Sequence, residues 1–359
     1  MHPGSDGGRE RAGIGIIGLG MALQPHAQAL RELADATRVV AAYSPSAERR
    51  AAFQEAYGLP TVASEAELLG DPCIDIVLVL TPPRTHADIA LRAARAGKHV
   101  LLEKPIDIDL PRARALVEAF ERAGRRLGVV FQHRFRRSPL ALAALLRQDA
   151  LGRLLSVSAS VRWWRSPEYF AEPGRGMRRR DGGGVLLTQA VHTLDLLLHL
   201  AGPVASVMAE CRNSNLRRID TEDIACAVVR FANGATGVID ATTVAYPGYA
   251  ERIELAGSAG TAVLEGDRLV VQRPGQPLLE MTGTSGGGGG ADPMAFSPEA
   301  HRRLIEEFLS AVRADREPSN SGRSALAVHA LIDAMLASSG RGIPIDMAEF
   351  EKSVSFRAG

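Results

Sequence analysis

Through residue 131 the chain alternates between continuous apolar runs and amphipathic stretches. Ile14–Ile17, Val39–Tyr43, Ile74–Leu80, His99–Leu102 and Leu127–Phe131 are short runs rich in Val, Ile, Leu and Ala. Between them lie Ala/Leu/Arg/Glu segments with helical periodicity, the first from about Pro25 to Leu33. Strands apolar on both faces that alternate with helices predict a parallel sheet covered on both sides. One helix start is explicit, with Asp109 able to cap it and Pro111 in its first turn.

After Phe131 the period changes to two. Leu154–Trp163, Val204–Arg212, Ile224–Phe231, Thr236–Ala245, Arg252–Ala256, Thr261–Glu265 and Leu269–Gln272 read as half-exposed strands, and Asn233-Gly234 marks a hairpin. Helices are expected over Pro139–Arg147, Pro298–Ala314 and Arg323–Ser339, and Gly283–Pro293 is a flexible loop by composition. The predicted fold class is α/β: a disordered start over 1–12, a parallel-sheet domain over 13–131, and an α+β domain with a large, mostly antiparallel open sheet over 132–359.

A chain of 359 residues exceeds what one core usually accommodates, which agrees with two domains. The net charge of +1 removes any global electrostatic case for a nucleic-acid or membrane partner. Cys73, Cys211 and Cys226 are scattered and offer neither a disulfide framework nor metal spacing. No run reaches the roughly 18 apolar residues of a membrane span, and the polar opening lacks a signal-peptide core, so a cytoplasmic enzyme is expected.

Candidate chemistry begins after the first strand. Gly18 and Gly20 precede a helix, the order a dinucleotide-binding turn needs: the first glycine makes the turn and the second admits the pyrophosphate. Met21 and Ala22 continue this turn, and Leu23 stands where a small residue normally permits close packing, so the helix is expected to start late. At the end of the second strand Ser44 replaces the acid that would hold an NAD ribose, and Arg49 follows; a 2′-phosphate is not repelled there, which favours NADP over NAD. Lys104 arrives at the carboxyl end of the fourth strand, where open α/β sheets bind ligands. Thr188, His192, Asp195 and His199 form a polar stripe on an otherwise apolar helix, either a solvent face or a partly buried pocket. A metal site at His192, Asp195 and His199 is disfavoured because nothing completes the ligand shell.

Four motifs carry a resemblance: GIGIIGLG (13–20) with His26 after it, TPPRTH (81–86), GKHVLLEKP (97–105) and DGGGVLLTQAVHTLD (181–195). With them the chain resembles the glucose-fructose oxidoreductase / inositol dehydrogenase family, Gfo/Idh/MocA, from about Gly13 to Ile345. The resemblance implies a Rossmann domain that binds NAD(P), then a substrate domain whose sheet often forms the contact of a homodimer or homotetramer. It implies a nicotinamide near Thr81, Pro82, Glu103 and Lys104, with His86 and Gln132 also in the cofactor set. Lys104 and His192 are the implied acid/base pair. In the family pattern D-x-G-x-H this chain has Thr188 and Ala190, so proton transfer falls on His192 and Lys104, with Thr188 orienting and a titration expected near pH 6 to 7 before environmental shifts. The implied reaction moves hydride between nicotinamide and a secondary alcohol or ketone of a sugar, sugar acid or cyclitol. Alternatives are a redox-recycling lyase or hydrolase, or an NAD(P)-binding sensor. Trp163, Trp164, Arg165, Arg178 and Gln189 join His192 as expected substrate contacts, since aromatic faces pack on rings and arginines bind carboxylate or phosphate.

Overall fold

The structure, a computed structural model, describes residues 11–283 and 298–356. Strands β1 (Ala12–Ile17), β2 (Thr37–Tyr43), β3 (Ile76–Val79), β4 (His99–Leu102) and β5 (Leu127–Val129) form a parallel sheet in the order β2-β1-β3-β4-β5. Helices α1 (Leu23–Glu32), α2 (Ala47–Tyr57), α3 (Glu65–Gly70), α4 (His86–Arg95) and α5 (Leu110–Ala123) connect them. Ser46, Ser64 and Asp109 cap α2, α3 and α5 by accepting from the backbone N–H three residues on. Because β2 and β3 flank β1 on opposite sides, the strand order reverses at β1, and a crevice opens beyond the carboxyl ends of β1 and β3.

Helix α6 (Arg137–Arg147) leads into the second sheet, whose strands are β6 (Leu154–Arg162), β7 (Val204–Arg212), β8 (Ile224–Phe231), β9 (Thr236–Thr242), β10 (Arg252–Gly257), β11 (Gly260–Glu265), β12 (Arg268–Gln272), β13 (Leu279–Thr282) and β14 (Ile345–Asp346). Their order is β13-β12-β11-β10-β6-β9-β8-β7-β14, antiparallel except where β6 meets β9. Between β6 and β7 run the short helix α7 (Arg178–Asp181), a π-helical turn at Leu186–Ala190 and α8 (Val191–Ala201). The stretch Arg178–Ala201 is long and apolar enough to cross a membrane, but 83% of that window is buried inside the fold.

Helices α9 (Pro298–Arg313), α10 (Gly322–Arg341) and α11 (Met347–Phe356) end the described chain. Although it follows the second sheet, α9 returns to cover the first: Leu304, Ile305, Phe308 and Leu309 pack with Ile14, Ile76, Leu78 and Leu101. Gly128 makes room for it, since a Cβ there would lie 2.7 Å from Phe308. The expected cut at residue 131 therefore does not separate what covers each sheet. Of the expected disordered start, residues 1–10 lie outside the described residues, whereas Ala12 opens β1. The glycine-rich loop, apart from Gly283, also lies outside them.

Candidate active site

Gly18 leaves β1 at φ 105° with Leu80 pressed against it; a Cβ would lie 2.7 Å from the Leu80 carbonyl carbon. Gly20 is open, an added Cβ meeting nothing nearer than Arg49 Nη1 at 4.0 Å. Helix α1 starts only at Leu23, the late start expected, and neither a side-chain cap nor an acidic first-turn residue occupies its amino terminus. A helix start without a side-chain cap or an acid, and room at Gly20, fit a dinucleotide pyrophosphate. Met21 is two-thirds exposed beside this turn.

Several expected cofactor residues have local duties. Ser44 is buried; its hydroxyl accepts from Ser46 N (3.4 Å) and its carbonyl from Arg50 Nη1 (2.5 Å). Arg49 is the exposed group that remains at this end of the crevice. His86 does not face the crevice at all: it is fully buried between the carbonyls of Thr81 (2.7 Å) and Pro105 (2.8 Å), and burial lowers its pKa. It ties the loop after β3 to the loop after β4, so its effect on a cofactor passes through Thr81 and Pro82.

Lys104 follows β4 as expected, and its Nζ donates to the Thr188 carbonyl at 3.1 Å. Burial pulls its pKa below the lysine range, Glu103 counters in part, and Arg165 adds to the lowering. Glu103 borders the cavity with both oxygens engaged: His26 Nε2 lies 2.8 Å from its Oε1, and its Oε2 accepts from Lys104 N at 3.1 Å. Burial would raise this carboxyl, but the His26 hydrogen bond, with Lys104 and His301 nearby, holds it low. An ionised carboxylate only accepts, so Nε2 of His26 carries the hydrogen. Glu103 is thus a strut under Lys104.

The polar stripe does not lead to one site. A π-turn at Leu186–Ala190 carries Thr188, and α8 after it holds His192, Asp195 and His199, which meet different neighbours along its length. Thr188 and His192 line a cavity of about 270 Å3 together with Lys104, Gln132 and Gln189. Asp195 instead turns into the core and holds Arg134 in a bidentate pair, and His199 is exposed. Thr188 contributes through its carbonyl, while its hydroxyl donates to Gly184 O at 2.7 Å and touches the Gln189 amide.

His192 is 6% exposed and stacked on His133, ring centroids 4.7 Å apart. Burial and then the charges of Lys104 and Arg136 hold its pKa well below 6.5. The range of pH 6 to 7 expected before environmental shifts is thus lowered by burial, which favours the neutral, proton-accepting form of His192. His133 is locked from behind, with Arg136 Nη2 2.6 Å from its Nε2 and Arg136 paired with Glu251 at 2.5 Å.

Trp163 and Arg165 line the cavity beside Lys104, as does Tyr169. Trp164, one residue on, falls on the other side of the strand end, against Tyr246 and under Arg217. Arg178 is exposed, its N–H on Asp220, and lines a separate hollow with Ile108 and Asp333. Neither contacts the cavity, because the strand alternates and α7 turns away. His301 of α9 was not anticipated; it is buried in the cavity wall, edge-on to His26 at 4.8 Å. Its position three and four residues before the core residues Leu304 and Ile305 was the available signal.

A glycine turn at the switch point of a parallel sheet, facing a lysine and a neutral histidine across a cavity, defines an NAD(P)-dependent oxidoreductase. Residues 12–131 match the oxidoreductase family, NAD-binding Rossmann fold, and residues 140–263 match the GFO/IDH/MocA C-terminal domain. The chain belongs to the Gfo/Idh/MocA family. It is 30% identical to the inositol 2-dehydrogenase of Rhizobium meliloti over 90% of this chain and 96% of that one. It is 31% identical to the 1,5-anhydro-D-fructose reductase of Ensifer adhaerens over 79% and 83%. Among solved structures, the WlbA dehydrogenase from Bordetella pertussis in complex with NADH and UDP-GlcNAcA aligns with TM-score 0.79 and 29% identity, covering 94% of this chain and 99% of that one.

Proposed function

We propose that the protein moves hydride between a nicotinamide dinucleotide and a secondary carbinol carbon of a sugar, sugar acid or cyclitol. The observation that carries this reading is the convergence of Lys104 and His192 on one cavity that also reaches Met21 and Ala22 of the glycine turn. In the oxidising direction Lys104, anchored by the Thr188 carbonyl, donates a hydrogen bond to the substrate hydroxyl and stabilises the developing alkoxide. His192, kept neutral by burial, accepts the proton; reduction reverses both roles. The bound cofactor supplies the hydride acceptor or donor. Gly18, Gly20, Met21 and Ala22 would hold its pyrophosphate, with Thr81, Pro82, Glu103, Lys104 and Gln132 around the nicotinamide end. The names of the inositol and anhydrofructose relatives, and the UDP-GlcNAcA in complex with the solved neighbour, support a polyhydroxylated substrate.

Arg49 beside Gly20, with no carboxylate at position 44, supports NADP over NAD. The outer face of the second sheet exposes Met208, Val228 and Val238, an apolar strip suited to a homodimer or homotetramer contact. The test is steady-state turnover of a polyol and sugar-acid panel with each cofactor. Net stoichiometric reduction, faster per unit concentration with NADP+, is expected. A preference for NAD+ would overturn the cofactor assignment alone; absence of net reduction would favour a redox-recycling or sensing role.

A further inference from the structure

Arg165 lies just beyond β6 and is 5% exposed. Its guanidinium stacks over Trp163 at 4.8 Å and Tyr169 at 5.5 Å, with Nη1 donating to the Trp164 carbonyl at 3.0 Å and the Tyr169 hydroxyl also bonded to it. It lines the same cavity as Lys104 and His192, near enough that its charge weighs on Lys104. Two cations therefore line one half-open cavity. Among the described residues lining it, Glu103 is the one acid, and that carboxylate is committed to His26 and the Lys104 backbone. Like charges on two buried side chains repel, and an anion placed between them relieves the repulsion. Arginine presents a planar fork that matches a carboxylate, whereas Lys104 is occupied at the reacting oxygen. Trp163 beside the fork offers a face for the carbon skeleton of a ring.

We propose that the cavity selects polyhydroxylated substrates that bear a carboxylate, and that Arg165 receives that carboxylate. The proposal rests on the assignment of Lys104 and His192 to the reacting hydroxyl. Uronates and aldonates are then the preferred class, and their neutral counterparts bind weakly.

The test compares D-glucuronate, D-galacturonate and D-gluconate with the parent sugars and the corresponding amides, using wild type, Arg165→Met and Arg165→Lys, with cofactor affinity and melting temperature as checks on folding. Wild type should show a KM for at least one acid about 10–100-fold below that of its amide, the range a charge-assisted hydrogen bond supplies. Arg165→Met should raise that KM by about the same factor while moving the amide's by no more than a few-fold, and Arg165→Lys should recover part of the difference. Equal KM values for acid and amide in wild type, or equal losses on both in Arg165→Met, would overturn the carboxylate assignment and leave the dehydrogenase reading standing. If neither class reduces the cofactor, both readings fall.

Discussion

The two walls of the crevice are made of different material. On the cofactor side the working parts are backbone: Gly18 in a conformation and a space that exclude a Cβ, open Gly20, and the uncapped start of α1. On the substrate side they are buried polar side chains: Lys104, His192 and His301, each held by a neighbour from a distant element, and Arg165, held by the nearby Trp163, Trp164 and Tyr169. A wall of backbone is damaged by adding atoms and tolerates their removal. A wall of side chains behaves the opposite way, and its groups pay desolvation that shifts their pKa values.

The largest effect that separates the walls is expected at Lys104. Lys104→Met keeps the aliphatic stem and deletes the charge at the reacting oxygen, so kcat should fall by about 10²–10⁴. Cofactor affinity, measured by fluorescence titration, should stay within a few-fold, because the site proposed for the pyrophosphate is backbone. A loss of affinity as large as the loss of rate would mean that the two walls are one unit and that Lys104 serves the cofactor.

This difference of material also decides what was legible in the sequence. Backbone sites are punctuated by glycines between a strand and a helix, so Gly18, Gly20 and the late start of α1 could be read directly. The strand set was legible because burial follows period: β4 runs over His99–Leu102 as expected, and β7 and β8 keep their expected limits. The four residues of β13, the two of β14 and the closing α11 were too short or too weakly patterned to predict. The polar stripe failed as a single site because its members meet different neighbours along the helix: Thr188 and His192 the cavity, Asp195 the Arg134 guanidinium, and His199 the exterior. His301 failed for another reason: its partners His26 and Glu103 lie in the first sheet's connections, and only the return of α9 brings them together.

Acid sensitivity is expected on the substrate wall, as it is at the buried His86 and half-buried His99 of the first domain. His192 is held well below 6.5, and burial pushes His301 down to about 3. Both are neutral in the fold and would bind protons more readily once unfolded, near their ordinary value of about 6.5. The unfolded state then holds more protons below that pH, so the stability these residues contribute is complete above about pH 6.5 and is lost as pH falls toward their folded values. Melting temperature should drop over this interval, and His301→Phe should make the drop shallower. An unchanged slope in that variant would show that His301 does not titrate as its burial requires. The kcat/KM profile of the wild type should lack an inflection near pH 6.5 assignable to His192, and an inflection abolished by His192→Gln would contradict the neutral, buried state.

The smallest effect is expected at Thr188, and it probes the boundary between the walls. Thr188 stands where the family pattern has an acid, but the atom that reaches Lys104 is its backbone carbonyl. Its hydroxyl turns back to Gly184 O and touches Gln189. Thr188→Val keeps the carbonyl and the β-branched shape, so Lys104 remains anchored while one orienting hydrogen bond is lost. That loss is worth about 0.5–1.5 kcal/mol, or roughly threefold to tenfold in rate. His192→Ala, which removes the proton acceptor, should cost about 10²-fold or more. If Thr188→Val is as damaging as His192→Ala, the hydroxyl belongs to an obligatory proton relay, and a side chain works where the structure shows backbone at work. If both variants are harmless, the cavity between Lys104 and His192 is not where the hydroxyl reacts.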